Sequence, residues 1–249
     1  DMYVIKPILH ASVLCGWAAT IAHHVDVGGL VTGSNSRSST SIHQEGLRLP
    51  FLKLLRRGVV DTAIQAIIAA NVRTPDLVLG DITAQCAAVQ AGDRGLHDML
   101  HRYGAARLAS YTTALHDYAE KLSRTAISNI ADGVYMFEDH IDGLGDTGAP
   151  IVFRLRLEVA GDEVTADWTG TSAQVAGGIN APLSFCKSNV YAALRSVMGV
   201  DVPNCHGYTR PIHVVAPEGT VLNCTYPAAC GGRGITGYRI VDCVFGALA

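Results

Sequence analysis

The segment Ile130-Ala131-Asp132-Gly133-Val134-Tyr135-Met136-Phe137-Glu138-Asp139 marks the point at which the hydrophobic period of the chain changes. Before it, apolar residues over residues 105–130 recur at spacings of three and four, with one longer gap between Leu122 and Ile130, which predicts a long helix with one apolar stripe. After it, residues 134–139, 151–159 and 164–168 alternate, which predicts strands of an antiparallel meander. Helices and strands in separate segments indicate an α+β protein.

Two helices are predicted upstream, each with recognisable end signals. Asp61 is suited to cap a helix over residues 62–71, because its carboxylate can accept from the first backbone N–H groups. A second helix starts at Thr74-Pro75, where the missing N–H of proline costs nothing, and ends before Gly104. The two long helices on either side of Gly104 are joined by a short turn, which predicts a helical hairpin.

The remaining segments complete the predicted architecture. Residues 4–21 contain two apolar runs typical of strands, and residues 32–39 are a Gly/Ser/Asn-rich loop. Further elements are predicted downstream: a helix over 184–198, strands over 212–215 and 221–223, and a helix from about Tyr238. We therefore predict an α+β fold with mixed and antiparallel sheets and a helical hairpin insertion. Its expected parts, all belonging to one larger subunit, are a metal-site sheet with its loop (1–59), a helical segment (60–131) and an α+β segment with a Gly-rich loop (132–249).

The charge and hydrophobicity of the sequence indicate which kinds of molecule the protein is expected to bind. A net charge of −3, with basic residues adjacent only at Arg56-Arg57, argues against nucleic acid and favours small molecules or proteins. The apolar-rich stretch 13–22 is interrupted by Gly16 and Thr20 and is too short to cross a membrane. Seven cysteines without a Cys-x-x-Cys pair suit buried thiols in a reducing compartment, and no signal peptide opens the chain. The cytoplasm is therefore the expected location.

Both ends of the sequence resemble cut ends. The chain starts directly with the alternating run Tyr3-Val4-Ile5 and stops at Leu248-Ala249 without a helix-stop signal. We therefore expect a chain that is truncated at both ends.

His23-His24-Val25-Asp26 is the strongest local candidate for chemistry. Imidazole and carboxylate groups bind Zn, Mn and Fe, and this motif lies where a predicted strand meets a loop. Neighbouring strand residues point to opposite faces, so at most one of the two histidines, together with Asp26, can face a metal. A satisfied polar pair at a strand end is the alternative.

Cys230-Gly231-Gly232-Arg233-Gly234 is the second candidate. It precedes a predicted helix, so backbone N–H groups and the Arg233 guanidinium could receive an anion or substrate. The alternative is a turn whose glycines need positive φ. A Gly-x-x-x-x-Gly-Lys-Ser/Thr motif does not occur, so ATP binding is not expected here. A cysteine nucleophile at Cys230 or Cys205 is less favoured, since Cys205 and the adjacent His206 rarely meet side chain to side chain.

Several segments together resemble the hydantoinase B/oxoprolinase family, which also includes subunits of ATP-dependent ketone carboxylases. The matching stretches follow the family's order over nearly the whole chain: His23-His24-Val25-Asp26-Val27-Gly28-Gly29, Gln44-Glu45-Gly46-Leu47, Asn71-Val72-Arg73-Thr74-Pro75, Asp167-Trp168-Thr169-Gly170-Thr171, Gly178-Ile179-Asn180-Ala181-Pro182 and Pro227-Ala228-Ala229-Cys230-Gly231-Gly232.

The resemblance implies a metal site. In this family a His and an Asp three residues apart, with a later His from the His-His segment, bind a divalent metal. On this chain Asp1 and His23 would be metal ligands, the upstream His is absent, and His24 and Asp26 would be catalytic residues beside them. The metal would be Zn, Mn or Fe, and Gly231, Gly232 and Arg233 would contact the substrate.

The function implied by the resemblance is that of a B-type subunit of an ATP-dependent cyclic-amide hydrolase, such as a 5-oxoprolinase or a hydantoinase. A small cyclic amide would be the substrate. A hydantoinase A-type subunit would be the partner in a hetero-oligomer and would handle ATP. Two alternatives stay open, namely an ATP-dependent ketone carboxylase subunit and a non-catalytic scaffold fragment that docks the partner.

Overall fold

A computed structural model describes residues 2–145, 148–199 and 201–249, which pack into two compact units. The first unit contains the chain up to Ser34 together with Glu45–Thr112. The second contains Asn35–Gln44 and Thr113–Ala249. Most of the predicted sheet segment and much of the predicted helical segment therefore share the first unit. The three-part division of the sequence itself stays a prediction.

The first unit opens with an antiparallel hairpin of β1 (Met2–His10) and β2 (Val13–Ala22). Pro7 lies inside β1, opposite Trp17. A proline is tolerated there because a two-stranded hairpin leaves each strand with an open edge.

Two short strands and two helices follow in the same unit. β3 (Leu55–Arg56) pairs with β4 (Val59–Val60), and the helices are α1 (Thr62–Asn71) and α2 (Pro75–Tyr103). Both helices have the predicted bounds. The Asp61 carboxylate accepts from the N–H groups of Ala63 and Ile64, so it caps α1 as expected.

The two faces of the first hairpin differ in burial. On one face Ile8 and Ala18 are buried with Val89 of α2. Gly16 and Gly92 allow this close approach, since an added Cβ would lie 3.0 Å from Leu96 and from Ala18 respectively. The other face is apolar and exposed, and it carries Tyr3, Ile5, Leu9, Trp17 and Ile21.

The third predicted helix, α3 (Ala105–Ile127), ends slightly before the expected residue 130. The N–H groups of Asn129 and Ile130 bond to the carbonyls of Ala126 and Ile127, so the last turn tightens into i to i+3 bonds instead of continuing as α-helix.

The second unit is built on a mixed sheet. β5 (Gly133–Ile141), β6 (Ile151–Ala160) and β7 (Glu163–Asp167) form the predicted antiparallel meander. α4 (Leu183–Val197) and α5 (His206–Thr209) then lead to β8 (Ile212–Val215), which pairs with β7 in parallel, and α6 (Gly234–Leu248) ends the chain. The predicted α+β class with mixed sheets is therefore confirmed.

The alternation of β6 fixes the core of the second unit. Every second side chain of this strand is buried, including Phe153, Leu155 and Leu157. These side chains pack with buried residues of α4 and α6, such as Leu194 and Ile240. Within the described ranges, none of the helices combines the length and apolar composition needed to cross a bilayer.

Two predicted elements of the second unit differ from the structure. Residues 221–223 do not form a regular strand, because this stretch folds back on itself: Gly219 donates its N–H to the carbonyl of Asn223. The last helix begins at Gly234 and not near Tyr238, since the N–H groups of Ile235 and Gly237 already bond to the carbonyls of Gly232 and Arg233. The density of glycines made this first turn resemble a loop.

Candidate functional site

The loop that follows β2 is organised around the buried carboxylate of Asp26. One oxygen accepts from the N–H groups of Gly28 at 2.8 Å and Arg73 at 3.3 Å. The other accepts from the Gly33 N–H and from the Arg73 guanidinium, both at 2.9 Å. The same guanidinium donates to the carbonyls of Gly29 and Val31. Asp26 and Arg73 therefore hold the loop from both sides.

Glycine is required at two points around this loop. Gly28 has a φ of +85°, and an added Cβ would lie 2.3 Å from the carbonyl oxygen of Asn71. Gly46 has a φ of +125°, and its Cβ would lie 2.6 Å from the carbonyl oxygen of Val27. Both positions combine a left-handed backbone with a close backbone neighbour, so any side chain would displace the loop.

The charge state of Asp26 follows from these contacts. Burial opposes ionisation, but the hydrogen bonds from Gly28, Gly33 and Arg73 outweigh it and lower the pKa of Asp26 to about 2. The carboxylate is therefore ionised at neutral pH and is a weak base. Its predicted catalytic role stays a prediction, and its observed role is to position the loop.

His24 is buried, whereas His23 beside it is exposed. Among the residues that the structure describes, neither ring nitrogen of His24 has a hydrogen-bond partner. Burial lowers the pKa of His24, against the opposing effect of the Asp81 carboxylate, so the neutral imidazole is favoured. A neutral, buried imidazole with an unused lone pair is the form that binds a metal ion.

His24, predicted as a catalytic residue beside the metal, is the histidine of the pair whose chemistry would suit a metal ligand. The ring has the donor chemistry and the unsatisfied nitrogen that a metal ligand needs. Over residues 2–145, 148–199 and 201–249, however, no three His, Cys, Asp or Glu side chains are grouped as a complete metal site. Asp1, the other predicted ligand, lies outside the described residues. The ligand assignments of Asp1 and His23 stay predictions.

The predicted substrate loop belongs to the second unit and leads directly into α6. Gly232 donates its N–H to the carbonyl of Gly178 at 2.7 Å, and Gly178 donates to the carbonyl of Arg37 at 2.9 Å. An added Cβ at Gly178 would lie 2.0 Å from the Ser36 carbonyl oxygen. The backbones of three loops, at residues 36–37, at Gly178 and at Gly232, are therefore in direct contact.

Arg233 stands at the N-terminus of α6. Its guanidinium lies 5.4 Å from the centre of the Phe185 ring and donates to the carbonyl of Cys230 at 3.3 Å. A partly buried guanidinium on the residue that precedes a helix is suited to an anionic group. The roles of Gly231, Gly232 and Arg233 in substrate binding stay predictions.

The alternative explanation for these glycines, a turn with positive φ, is wrong at Gly232. This residue is not among the glycines with positive φ. A glycine is favoured at position 232 because the backbone of Gly178 lies close by: a Cβ on residue 232 would stand 3.3 Å from the Gly178 carbonyl oxygen. Close packing of loops, not turn geometry, selects glycine here.

Asn180 is fully buried and hydrogen-bonds to two of the loops around Gly178 and Gly232. Its amide donates to the carbonyls of Val175, Gly177 and Ala229, and its oxygen accepts from the Val175 N–H. The bond to Ala229 links residues 175–180 to the segment that precedes Gly231. Asn180 therefore fixes the base of the predicted substrate loop.

Arg73 and the pair His43–Tyr226 were not predicted as site residues. Arg73 is 47 positions from Asp26, so no local period indicated their contact. In the second unit, the His43 ring nitrogen and the Tyr226 hydroxyl lie 2.7 Å apart. The only sequence signal for Arg73 was its place in the stretch Asn71-Val72-Arg73-Thr74-Pro75, which matched a family pattern.

Comparison with known proteins gives a consistent result over the full chain. Residues 1–249 match the family model described as hydantoinase B/oxoprolinase. A protein of Pseudomonas sp. (strain NS671), provisionally named as the B-type subunit of a D-/L-hydantoinase, is 34% identical over 98% of this chain and 43% of its own length. The caprolactamase beta chain of Pseudomonas jessenii is 30% identical over 92% of this chain and 39% of its own length.

Solved structures agree with this match. The crystal structure of the ATP-dependent caprolactamase from Pseudomonas jessenii superposes with a TM-score of 0.91 and 28% identity, over 99% of this chain and 43% of that one. A nucleotide-free acetone carboxylase structure gives a TM-score of 0.83 at 14% identity, over 93% of this chain and 32% of that one, which is a likeness of fold alone. The chain spans less than half the length of these relatives.

Proposed function

Because the chain belongs to the hydantoinase B/oxoprolinase family, we propose that it forms part of the B-type subunit of an ATP-dependent cyclic-amide hydrolase. The observation that carries this proposal is the match over nearly the whole chain to the B-type chain of a hydantoinase and to an ATP-dependent caprolactamase. Hydantoin and caprolactam are both cyclic amides, and so is 5-oxoproline, the substrate named for a more distant relative from Dictyostelium discoideum. The shared substrate class is a ring whose amide bond is opened.

The proposal includes a partner subunit. The two Pseudomonas relatives are named as B-type and beta chains, which implies a second type of chain. We assign ATP to that partner, a hydantoinase A-type subunit, as the family resemblance implies. The substrate and the activity of the whole protein are part of the proposal, since the chain covers under half of each relative's length.

Within this chain we propose that His24 is a ligand of a divalent Zn, Mn or Fe ion. Its support is the buried ring with two unpartnered nitrogens among the described residues. Such a metal would polarise an oxygen of the substrate or activate water for opening the ring. Asp26 holds the backbone immediately after His24 in place through Arg73 and the N–H groups of Gly28 and Gly33. We therefore assign Asp26 as a positioning residue.

Arg233 is the proposed contact for an anionic group of the substrate. The support is its place at the start of α6, where the helix dipole favours an anion. A substrate such as 5-oxoproline carries a carboxylate that a guanidinium can bind through two parallel hydrogen bonds. Neutral rings such as caprolactam would not use this contact, so its effect is expected to depend on the substrate.

Metal analysis with matched histidine variants tests the proposed ligand. The purified chain, His24→Ala and His23→Ala would be dialysed without chelator, and bound Zn, Mn and Fe measured. We expect about one equivalent of metal in the parent chain and a clear loss in His24→Ala, while His23→Ala tests separately whether the predicted ligand His23 also holds the metal. Retention of metal by His24→Ala would overturn the assignment of His24, and its loss only from His23→Ala would favour the exposed histidine.

Reconstitution tests the reaction. The protein would be mixed with an A-type subunit, and ATP hydrolysis and ring opening would be followed with 5-oxoproline, hydantoin and caprolactam. We expect ATP consumption that depends on one of these cyclic amides. ATP consumption that requires bicarbonate and a ketone would instead identify a carboxylase, and no substrate-dependent consumption would favour a scaffold.

A further inference from the structure

Cys224 and Cys230 form a close pair of thiols in the second unit. Their sulfurs are 3.4 Å apart and both side chains are half-buried. Two other cysteines of this unit are set apart by burial: Cys186 in α4 and Cys243 in α6 lie in the core, and burial raises the pKa of each to about 12. Cys205 is half-buried in a loop and makes no such sulfur contact in the described structure.

We propose that Cys224 and Cys230 are a reversible modification site, which a peroxide oxidises to an intrachain disulfide. The sulfur of one thiolate attacks a peroxide oxygen, the O–O bond breaks, and a sulfenic acid and water result. The second thiol then attacks that sulfur and displaces a second water molecule. In sum, two thiols and one hydrogen peroxide give one disulfide and two water molecules, and the two electrons lost by sulfur reduce the peroxide.

The loops around the two thiols hold them in place for this reaction. On the Cys224 side, the N–H of Cys224 bonds to the Ala181 carbonyl and the N–H of Thr225 bonds to the Gln174 side chain. On the Cys230 side, the Ala229 carbonyl accepts from Asn180. Both thiols are therefore anchored to the same segment, residues 174–181.

The movement required is small. A disulfide bond is about 2.05 Å long, so the sulfurs must approach each other by about 1.4 Å, which a side-chain rotation with a slight loop adjustment supplies. The ring that closes spans few residues and is already preformed, so little chain entropy is lost when the bond forms. The structure thus favours this pair over any pairing that involves Cys205.

The disulfide would act on the predicted substrate loop, a consequence that rests on the proposed function. Cys230 precedes Gly231, Gly232 and Arg233 directly, and its carbonyl accepts from the Arg233 guanidinium. Gly232 cannot follow a shift of Cys230 freely, because it is bonded to Gly178. Oxidation is therefore expected to displace Arg233 relative to α6 and to slow turnover of a substrate that carries a carboxylate.

Thiol mapping of the intact chain tests the site without any activity measurement. The parent chain, Cys224→Ser, Cys230→Ser and the matched control Cys205→Ser would be treated with hydrogen peroxide, alkylated and digested for mass spectrometry. We expect Cys224 and Cys230 to be joined by a disulfide, and so protected from alkylation, in the parent and in Cys205→Ser, with both thiols recovered on addition of dithiothreitol. Thermal unfolding of each variant, with Cys224→Ala and Cys230→Ala as second substitutions, verifies that folding is retained.

The possible results separate this inference from the proposed function. Peroxide that consumes other thiols while Cys224 and Cys230 stay reduced, or a cross-link that includes Cys205, would overturn the site. If the cross-link forms and the reconstituted reduced enzyme is active, we expect oxidation to lower its turnover several-fold and Cys230→Ser to resist this loss. Unchanged turnover of the cross-linked enzyme would contradict the expected effect of the disulfide on the substrate loop. An inactive reduced enzyme would count against the proposed function alone.

Discussion

At the scale of single residues, Asp26 is the side chain on which the loop after β2 depends most. It is 2% exposed and meets four hydrogen-bond donors, three of them backbone N–H groups. Removing the carboxylate leaves all four donors, the Arg73 guanidinium among them, without this acceptor. Loss of a buried acceptor is destabilising, because the backbone N–H groups that it satisfied are left desolvated and without a partner.

We predict that Asp26→Ala lowers the free energy of unfolding by about 3 kcal/mol, the cost of leaving buried N–H donors unsatisfied. Urea titration followed by circular dichroism would measure the change. Asp76→Ala is the matched control, because Asp76 lies exposed in the first turn of α2 of the same unit. Equal stability of the two variants would contradict the role assigned to Asp26.

The two neighbouring histidines show what the sequence could and could not predict. Strand alternation correctly separated His23 from His24, and the structure exposes the first and buries the second. Alternation could not say which of the two would be buried. The resemblance named His23 as the metal ligand and made no prediction about burial. The contact of Arg73 with Asp26 joins residues 47 positions apart, and no local pattern carries information at that distance.

At the scale of elements, the two helices of the first unit begin in different ways. Asp61 caps α1 with two side-chain bonds, at 3.0 Å to Ala63 and 3.3 Å to Ile64. Thr74 precedes α2 without a side-chain cap bond, and its buried hydroxyl has no partner among the described residues. Proline in the first turn of α2 fixes the helical φ and makes a cap less necessary.

We therefore predict that Asp61→Ala destabilises the chain by about 1 kcal/mol, the usual cost of a lost helix cap. Thr74→Ala should change stability by less than about 0.5 kcal/mol, because it removes a hydroxyl that forms no bond within the described residues. Thermal unfolding of both variants at one pH makes the comparison. A larger loss for Thr74→Ala than for Asp61→Ala would mean that the α2 cap, and not the α1 cap, is the stabilising one.

Element boundaries were predictable where a residue type has a fixed backbone preference. Asp61, Pro75 and Gly104 gave the ends of α1 and α2 correctly. The prediction was wrong for residues 221–223, where the bond from the Gly219 N–H to Asn223 folds the chain into a turn. Apolar alternation over three residues is too short to distinguish a strand from such a turn.

At the scale of the whole molecule, the grouping of segments into units depends on contacts between residues far apart in sequence. Asn35–Gln44 belongs to the second unit although it interrupts the first in sequence. Its carbonyls at Ser36 and Arg37 meet Gly178, which is more than a hundred positions away, and this contact needs a glycine there. Local sequence patterns predict the helices and most strands well. They carry no information about which distant loops contact each other.

Ion pairs join elements of the second unit that are far apart in sequence, and they make the stability of this unit depend on pH. Arg210 and Arg124 donate to Glu120 and hold the pKa of its carboxyl below the ordinary 4.5. Arg124 and His213 lower the pKa of Glu163 in the same way. A carboxyl with a lowered folded pKa binds protons more readily in the unfolded chain. Its stabilisation is therefore fully present above about pH 4.5 and is lost as the pH falls below that value.

We predict that the free energy of unfolding of the parent chain falls between about pH 5 and about pH 3, and that Arg210→Gln makes this fall shallower. The reason is that Arg210 supplies the main hydrogen bond that lowers the pKa of Glu120. Urea unfolding at a series of pH values gives the slopes. Lys121→Gln is the control, since Lys121 is exposed on the same helix as Glu120 and its loss removes the same charge. If Lys121→Gln flattens the slope as much as Arg210→Gln does, net charge and not the hydrogen-bonded network accounts for the acid sensitivity.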